Sequence, residues 1–148
     1  MVRSVFIACL IFIPFLATCR STDIAEKVVW KGEVLADGTP SQPIQLKLHH
    51  EYKVKTEGFV NLGKWKQGGE QLANDACYEF NTEGELAKLE SLRNTSGISV
   101  CDGKYHPDHI YHSETFTAEQ DKIHFWVHDF NYDDNSGAFK VQILQVGS

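Results

Sequence analysis

The chain has 148 residues, 42% hydrophobic, 11% aromatic and 23% charged, with a formal net charge of -6. That length holds one ordinary domain rather than two, and the aromatic content excludes an intrinsically disordered chain. Fourteen scattered Lys and Arg against 20 acids also exclude a protein that coats nucleic acid, because phosphate binding needs clustered cations.

Met1-Val2-Arg3-Ser4 carries one positive charge and leads into an apolar run from Val5 to Ala17 with no charged residue. The run is short of the ~20 residues that a permanent span requires, and Pro14 interrupts it. Residues 1–18 therefore read as a secretory signal, 19–27 as a polar linker and 28–148 as the folded domain. Leu16-Ala17-Thr18-Cys19 resembles a bacterial lipobox, although Thr18 stands where the pattern prefers Gly, Ala or Ser. Cys19 is thus the candidate for lipid anchoring, with simple secretion as the alternative. Arg20 is not the Asp of an inner-membrane retention signal, so a lipoprotein would be destined for the outer membrane; otherwise the chain is periplasmic or secreted. Removal of residues 1–18 takes away Arg3 and no acid, leaving a charge of -7. Cys9 leaves with the signal, Cys19 goes to lipid or a loose end, and Cys77 and Cys101 remain as the expected disulfide of an exported protein.

Strands are predicted next. Val28–Ala36 forms the first, and Asp37-Gly38-Thr39-Pro40 supplies turn chemistry. Ile44–His49 and Tyr52–Val60 alternate apolar and polar residues with a period of two. The Gly-, Lys- and Gln-rich stretch from Asn61 to Asn74 reads as a loop. Short strands are expected at Cys77–Phe80 and Ile98–Val100, and between them Glu85–Leu92 has helix propensity but would equally serve as a strand with Leu86 and Leu92 inward. Ser113–Ala118, Lys122–Asp129 and Ala138–Leu144 complete the set. Strands separated by turns, with no convincing long helix, imply a single all-β domain, an antiparallel β-sandwich or jelly roll. Asn94-Thr95-Ser96 is a glycosylation sequon, a triplet that is common by chance and carries little weight if the source is bacterial.

His128–Gly137 gathers Asp129, Asp133 and Asp134 with Asn131 and Asn135 between two strands. Side-chain oxygens and turn carbonyls in such a loop can satisfy Ca²⁺, which takes 6–8 oxygens; the plainer reading is a solvated turn with Gly137 at positive φ. Trp30–Ala36, Gly58–Gly63 and Asp129–Ile143, with its Asn135-Ser136-Gly137-Ala138-Phe139 core, resemble the small bacterial calcium-dependent galactophilic lectins of the LecA type. The resemblance implies a β-sandwich that binds a galactose-type glycan through Ca²⁺. It further implies Asp129, Asp134 and Asn135 as side-chain ligands, with Leu62 and Asn131 offering main-chain carbonyls. Asp129 and Asp134 would also contact the sugar. The turn is two residues shorter than the family's, Asp134 replaces an Asn and Leu62 replaces a Tyr. The family's sugar-contacting His and Gln have no clear counterpart, and Gln67 or Gln71 is the candidate substitute.

A second cluster, Cys101, Asp102, His106, His109 and His112, could hold zinc or copper. Pro107 opposes the helix that would align the three His, and in a strand His106 and His109 face opposite ways. The plainer reading is an aromatic-rich loop tethered by the disulfide, able to flank a sugar pocket. Asp129 and Asp134 could be weighed as a glycosidase pair. However, the chain contains no nucleophile elbow, zinc-protease motif or phosphate loop, so recognition without turnover is expected. An oligomer is compatible with this reading. A different class of function, an acidic envelope lipoprotein that binds a cationic protein such as a lysozyme, would need low salt where the lectin needs Ca²⁺.

Overall fold

A computed structural model describes residues 25–64, 71–80 and 86–147. The signal segment, Cys19 and Gln67 lie outside the described residues. Within them every regular element is a strand: β1 (Glu26–Leu35), β2 (Ile44–Gln45), β3 (Glu51–Glu57), β4 (Val60–Lys64), β5 (Gln71–Asn74), β6 (Tyr78–Phe80), β7 (Leu86–Lys88), β8 (Leu92–Asn94), β9 (Ile110–His112), β10 (Phe116–Thr117), β11 (Lys122–Ile123), β12 (Phe125–Val127) and β13 (Ser136–Val146).

The spine is β13. One edge pairs with β1 from Glu26↔Val146 to Leu35↔Ala138, and the other pairs first with β4 through Ser136↔Asn61 and then with β3 from Lys140↔Glu57 to Val146↔Glu51. The far edge of β3 takes β9 and β10, while β4 continues through β5 and β6 into β7; each pairing is antiparallel. The pairs β2–β11 and β8–β12 form the opposing layer. The result is an antiparallel β-sandwich, as the strand pattern implied.

Alternation decides what lies between the layers. Val34, Val54, Phe139, Val141 and Ile143 from the large sheet and Ile44, Leu92, Ile123, Phe125 and Val127 from the small strands are all buried, each contributing about 2 kcal/mol of apolar transfer. Trp30 of β1 stacks on Phe125 of β12 with ring centroids 6.3 Å apart, joining the layers. Two local features permit this. The β1–β13 register slips between Val28 and Trp30, a bulge that pairs Trp30 with inward-facing Ile143. Gly32, two residues on and on the same face, lacks the Cβ that would run into the indole.

Several boundaries differ from the sequence reading. β1 opens at Glu26, inside the segment read as linker. The stretch read as a loop from Asn61 contains β4 and β5, because backbone pairing with β13 and β6 overrides poor strand propensity. Ile98–Val100 is irregular: Asn94 accepts the Ile98 N–H and donates to the Ile98 carbonyl, and Glu90 accepts the Val100 N–H, so side chains take the place of a ladder. The expected strand Lys122–Asp129 breaks at His124 into β11 and β12, which have different partners. Leu92 faces inward, and no helix forms over 86–92.

Candidate functional site

The acidic turn connects β12 to β13 and is held from three sides. Tyr132 lies against Gly38 of the β1–β2 loop, where any side chain would collide with its ring. The Tyr132 hydroxyl accepts the Asp129 N–H at 3.1 Å and reaches the Val127 carbonyl at 3.4 Å. The Asn135 N–H closes the turn onto the Tyr132 carbonyl, and Ala36 of the β1 exit donates its N–H to the Gly137 carbonyl. Gly137, at φ 92°, pairs with Val60 and so sets the turn beside β4.

That placement brings distant residues together. The Asp134 carboxylate lies directly over Gly63, next to Leu62, so closely that a Cβ at Gly63 would strike it. Asn131 Nδ2 donates to Asp134 Oδ1 at 3.2 Å, and the Asn131 side-chain oxygen accepts the Asp133 N–H. Asp129 Oδ1 accepts the Phe130 N–H at 2.7 Å, and Phe130 itself projects fully exposed from the middle of the turn. Asn135 Nδ2 donates to the Ala36 carbonyl at 3.0 Å, which fixes the amide orientation because a carbonyl only accepts. Its other end, Oδ1, is buried with no hydrogen-bond partner among the described residues. A buried oxygen without a donor costs about 1–3 kcal/mol unless something electropositive meets it. An orphaned amide oxygen in a turn rich in Asp and Asn suits a hard cation such as Ca²⁺. Of the two glutamines weighed for sugar contact, Gln71 stands at the start of β5, paired with Lys64 of β4.

The histidine cluster is organised differently from the transition-metal expectation. Cys101 is bonded to Cys77, with Cα atoms 5.6 Å apart, and is therefore no ligand. Each His has its own surroundings: His106 Nε2 meets Asp102 at 2.9 Å, His109 Nδ1 meets Asp75 at 3.1 Å, and His112 stands on β9 opposite Lys55. Among the described residues no group of three or more His, Cys, Asp or Glu could hold a metal ion. The bond from His106, followed by that from the Lys104 N–H, holds the exposed Asp102 carboxyl below the usual range.

The residue that sequence reasoning missed is Asp75. It is fully buried; Oδ1 accepts the N–H groups of Cys77 and Tyr78, while Oδ2 meets the Tyr111 hydroxyl at 2.9 Å and His109. Burial, the largest influence on Tyr111, pushes its phenol well above its ordinary value, with the Asp75 bond acting in the same direction. His109, at φ 54°, stacks on Phe80 and meets Phe59 and Tyr105 edge-on. The Asp75-Ala76-Cys77 turn was the local signal available; its partners 34 and 36 residues away had none.

The fold has a counterpart among solved structures, that of a lectin domain. The N-terminal domain of EclA, described as a PllA-like lectin, superposes with a TM-score of 0.53 at 20% sequence identity, over 80% of this chain and 97% of that domain. At that identity the likeness is one of fold. No protein-family model and no curated protein matches the chain.

Proposed function

We propose that the protein is an exported, calcium-dependent carbohydrate-binding protein for galactose-type glycans, anchored by lipid at Cys19, that recognises its ligand without turnover. The observation that carries this reading is the orphaned Asn135 Oδ1 in a turn that also seats Asp134 over Gly63 of β4. The lectin fold of the EclA domain supports it. Asp129, Asp134 and Asn135 would hold Ca²⁺ with the carbonyls of Leu62 and Asn131. When bound, the ion supplies coordination positions for sugar hydroxyls. The Asp129 and Asp134 carboxylates accept hydrogen bonds from those hydroxyls, and Gln67 or Gln71 adds amide contacts. Exposed Phe130 offers an apolar surface to the ring's C–H face.

The test is thermal unfolding in EDTA with Ca²⁺ titrated back. A micromolar site adds about 4 kcal/mol at millimolar Ca²⁺, and the melting point rises accordingly. Asp129→Ala should remove both this rise and the Ca²⁺-dependent part of galactoside binding. Galactoside binding that is no stronger with Ca²⁺ than in EDTA, or that Asp129→Ala leaves equally responsive to Ca²⁺, overturns the mechanism. A melting point indifferent to Ca²⁺ would return the protein to the reading in which its charge of -7 engages a cationic protein in a salt-sensitive manner.

A further inference from the structure

The outer face of the small layer carries an open depression of about 490 Å³ lined by Gly38, Pro40, Thr95, His124 and Trp126, within the ~300–1,000 Å³ range of small-molecule sites. Phe125 and Val127 point into the core, so Trp126 between them turns outward, half-buried. Its indole N–H has no partner among the described residues.

The polar groups around it are fixed by the backbone. The Ser41 N–H donates to the Phe125 carbonyl and the Ser41 hydroxyl accepts the Phe125 N–H, so the β1–β2 loop is fastened to β12. His124 Nδ1 lies 3.1 Å from the Ser41 carbonyl. Because that carbonyl only accepts, Nδ1 carries the proton and Nε2 of the neutral ring is left as an acceptor. Thr95 Oγ1 accepts the His124 N–H at 3.2 Å, and the Thr95 N–H returns a bond to the His124 carbonyl. The Thr95 hydroxyl proton therefore remains available to a ligand.

No carboxylate, ammonium or guanidinium lines the depression, so a charged ligand would find no counter-charge there. A purely apolar ligand would strip water from His124 Nε2 and the Thr95 hydroxyl without replacing it. The lining suits a neutral ring with an apolar face and peripheral hydroxyls. From this we infer that Trp126, His124 and Thr95 form a second carbohydrate site that binds a pyranose, with the ring stacked on the indole, one hydroxyl donating to His124 Nε2 and another accepting from Thr95. This site needs no metal. It meets the acidic turn at Gly38, on which Tyr132 rests, and along β12.

The test uses the full chain labelled with ¹⁵N, whose three Trp give three indole N–H signals. Trp126→Phe removes one signal and so assigns it. The methyl glycosides of galactose, glucose and mannose are titrated to about 50 mM, far above a millimolar Kd, first in EDTA and then in Ca²⁺, with cyclohexanol as a ring of similar size bearing one hydroxyl. The Trp126 signal is expected to shift saturably with at least one glycoside, equally in EDTA and Ca²⁺. His124→Leu, with the other two indole signals unchanged, should weaken that binding about tenfold. A Trp126 signal unmoved by every glycoside, or moved equally by cyclohexanol, overturns the second site. Such a result leaves the calcium site standing if sugar binding still depends on Ca²⁺ and Asp129. Conversely, a shift in EDTA supports the second site even if Asp129→Ala changes nothing.

Discussion

At the residue scale, Gly63 shows how little space separates the two halves of the proposed site. It sits at φ 81° with the Asp134 carboxylate over its Cα. An Ala there meets both the left-handed backbone and the carboxylate, and should cost about 1–2 kcal/mol. Gly63→Ala should therefore lower the melting point in EDTA by several degrees, and in addition reduce the Ca²⁺-induced rise, because Asp134 must move aside. Melting curves of both proteins with and without Ca²⁺ check this; an undiminished rise would separate Asp134 from metal binding. His112 gives a second expectation at this scale. Desolvation first, and the nearby charge of Lys55 second, lower its pKa below the ordinary 6.5. A His with a depressed pKa binds fewer protons folded than unfolded once the pH falls below 6.5, so stability is intact above that pH and declines below it. The ring remains partly exposed, which limits the effect. Replacing His112 with Gln should flatten the fall in melting point between pH 7 and pH 5.

At the element scale, β3 lies between β13 on one side and β9 and β10 on the other, and its inward positions are Tyr52, Val54 and Thr56. Thr56 is fully buried and its hydroxyl has no partner among the described residues. Valine has nearly the same shape without the desolvated oxygen, so Thr56→Val should raise stability by about 1 kcal/mol in urea unfolding; a loss of stability would reveal an unseen partner. The period-two pattern made β3 and β13 legible, because each buries a single face over seven or more residues. Among the short strands, β6 was expected at Cys77–Phe80, but β4, β5 and β9 were not legible. β9 has three residues in a His-rich stretch and exists because Lys55–Glu57 offers it an edge. β4 and β5 likewise exist because Gly137 and Phe80 lie where they can pair.

At the scale of the whole molecule, the Cys77–Cys101 bridge spans 24 residues and fastens the Asp102–Tyr111 loop to the meander, where Asp75 also binds Tyr111 and His109. In the chain-entropy model a loop of this length is worth about 3 kcal/mol. Reduction, or a Cys77→Ser/Cys101→Ser double variant, should destabilise the domain by about that amount in denaturant titration. Because the bridge lies in the meander rather than in the β12–β13 turn, the Ca²⁺-induced rise in melting point should survive. A variant that keeps its stability would mean that the Asp75 network alone fastens the loop.

The sequence by itself determined the β class, the layered architecture and the disulfide, because period-two alternation dictates which faces bury and because two Cys remained in the stretch read as the folded domain. It also marked the acidic turn, since oxygen-bearing side chains crowd into a few consecutive positions. Only the tertiary structure decided that Asn135 Oδ1 is left without a donor, that Asp134 rests on Gly63, that Asp75 is buried under Tyr111 and His109, and that Trp126 faces outward beside His124. Each of these depends on which strands become neighbours through β13. That choice is made by long-range backbone pairing and the closing of one core, and no local stretch of residues encodes it.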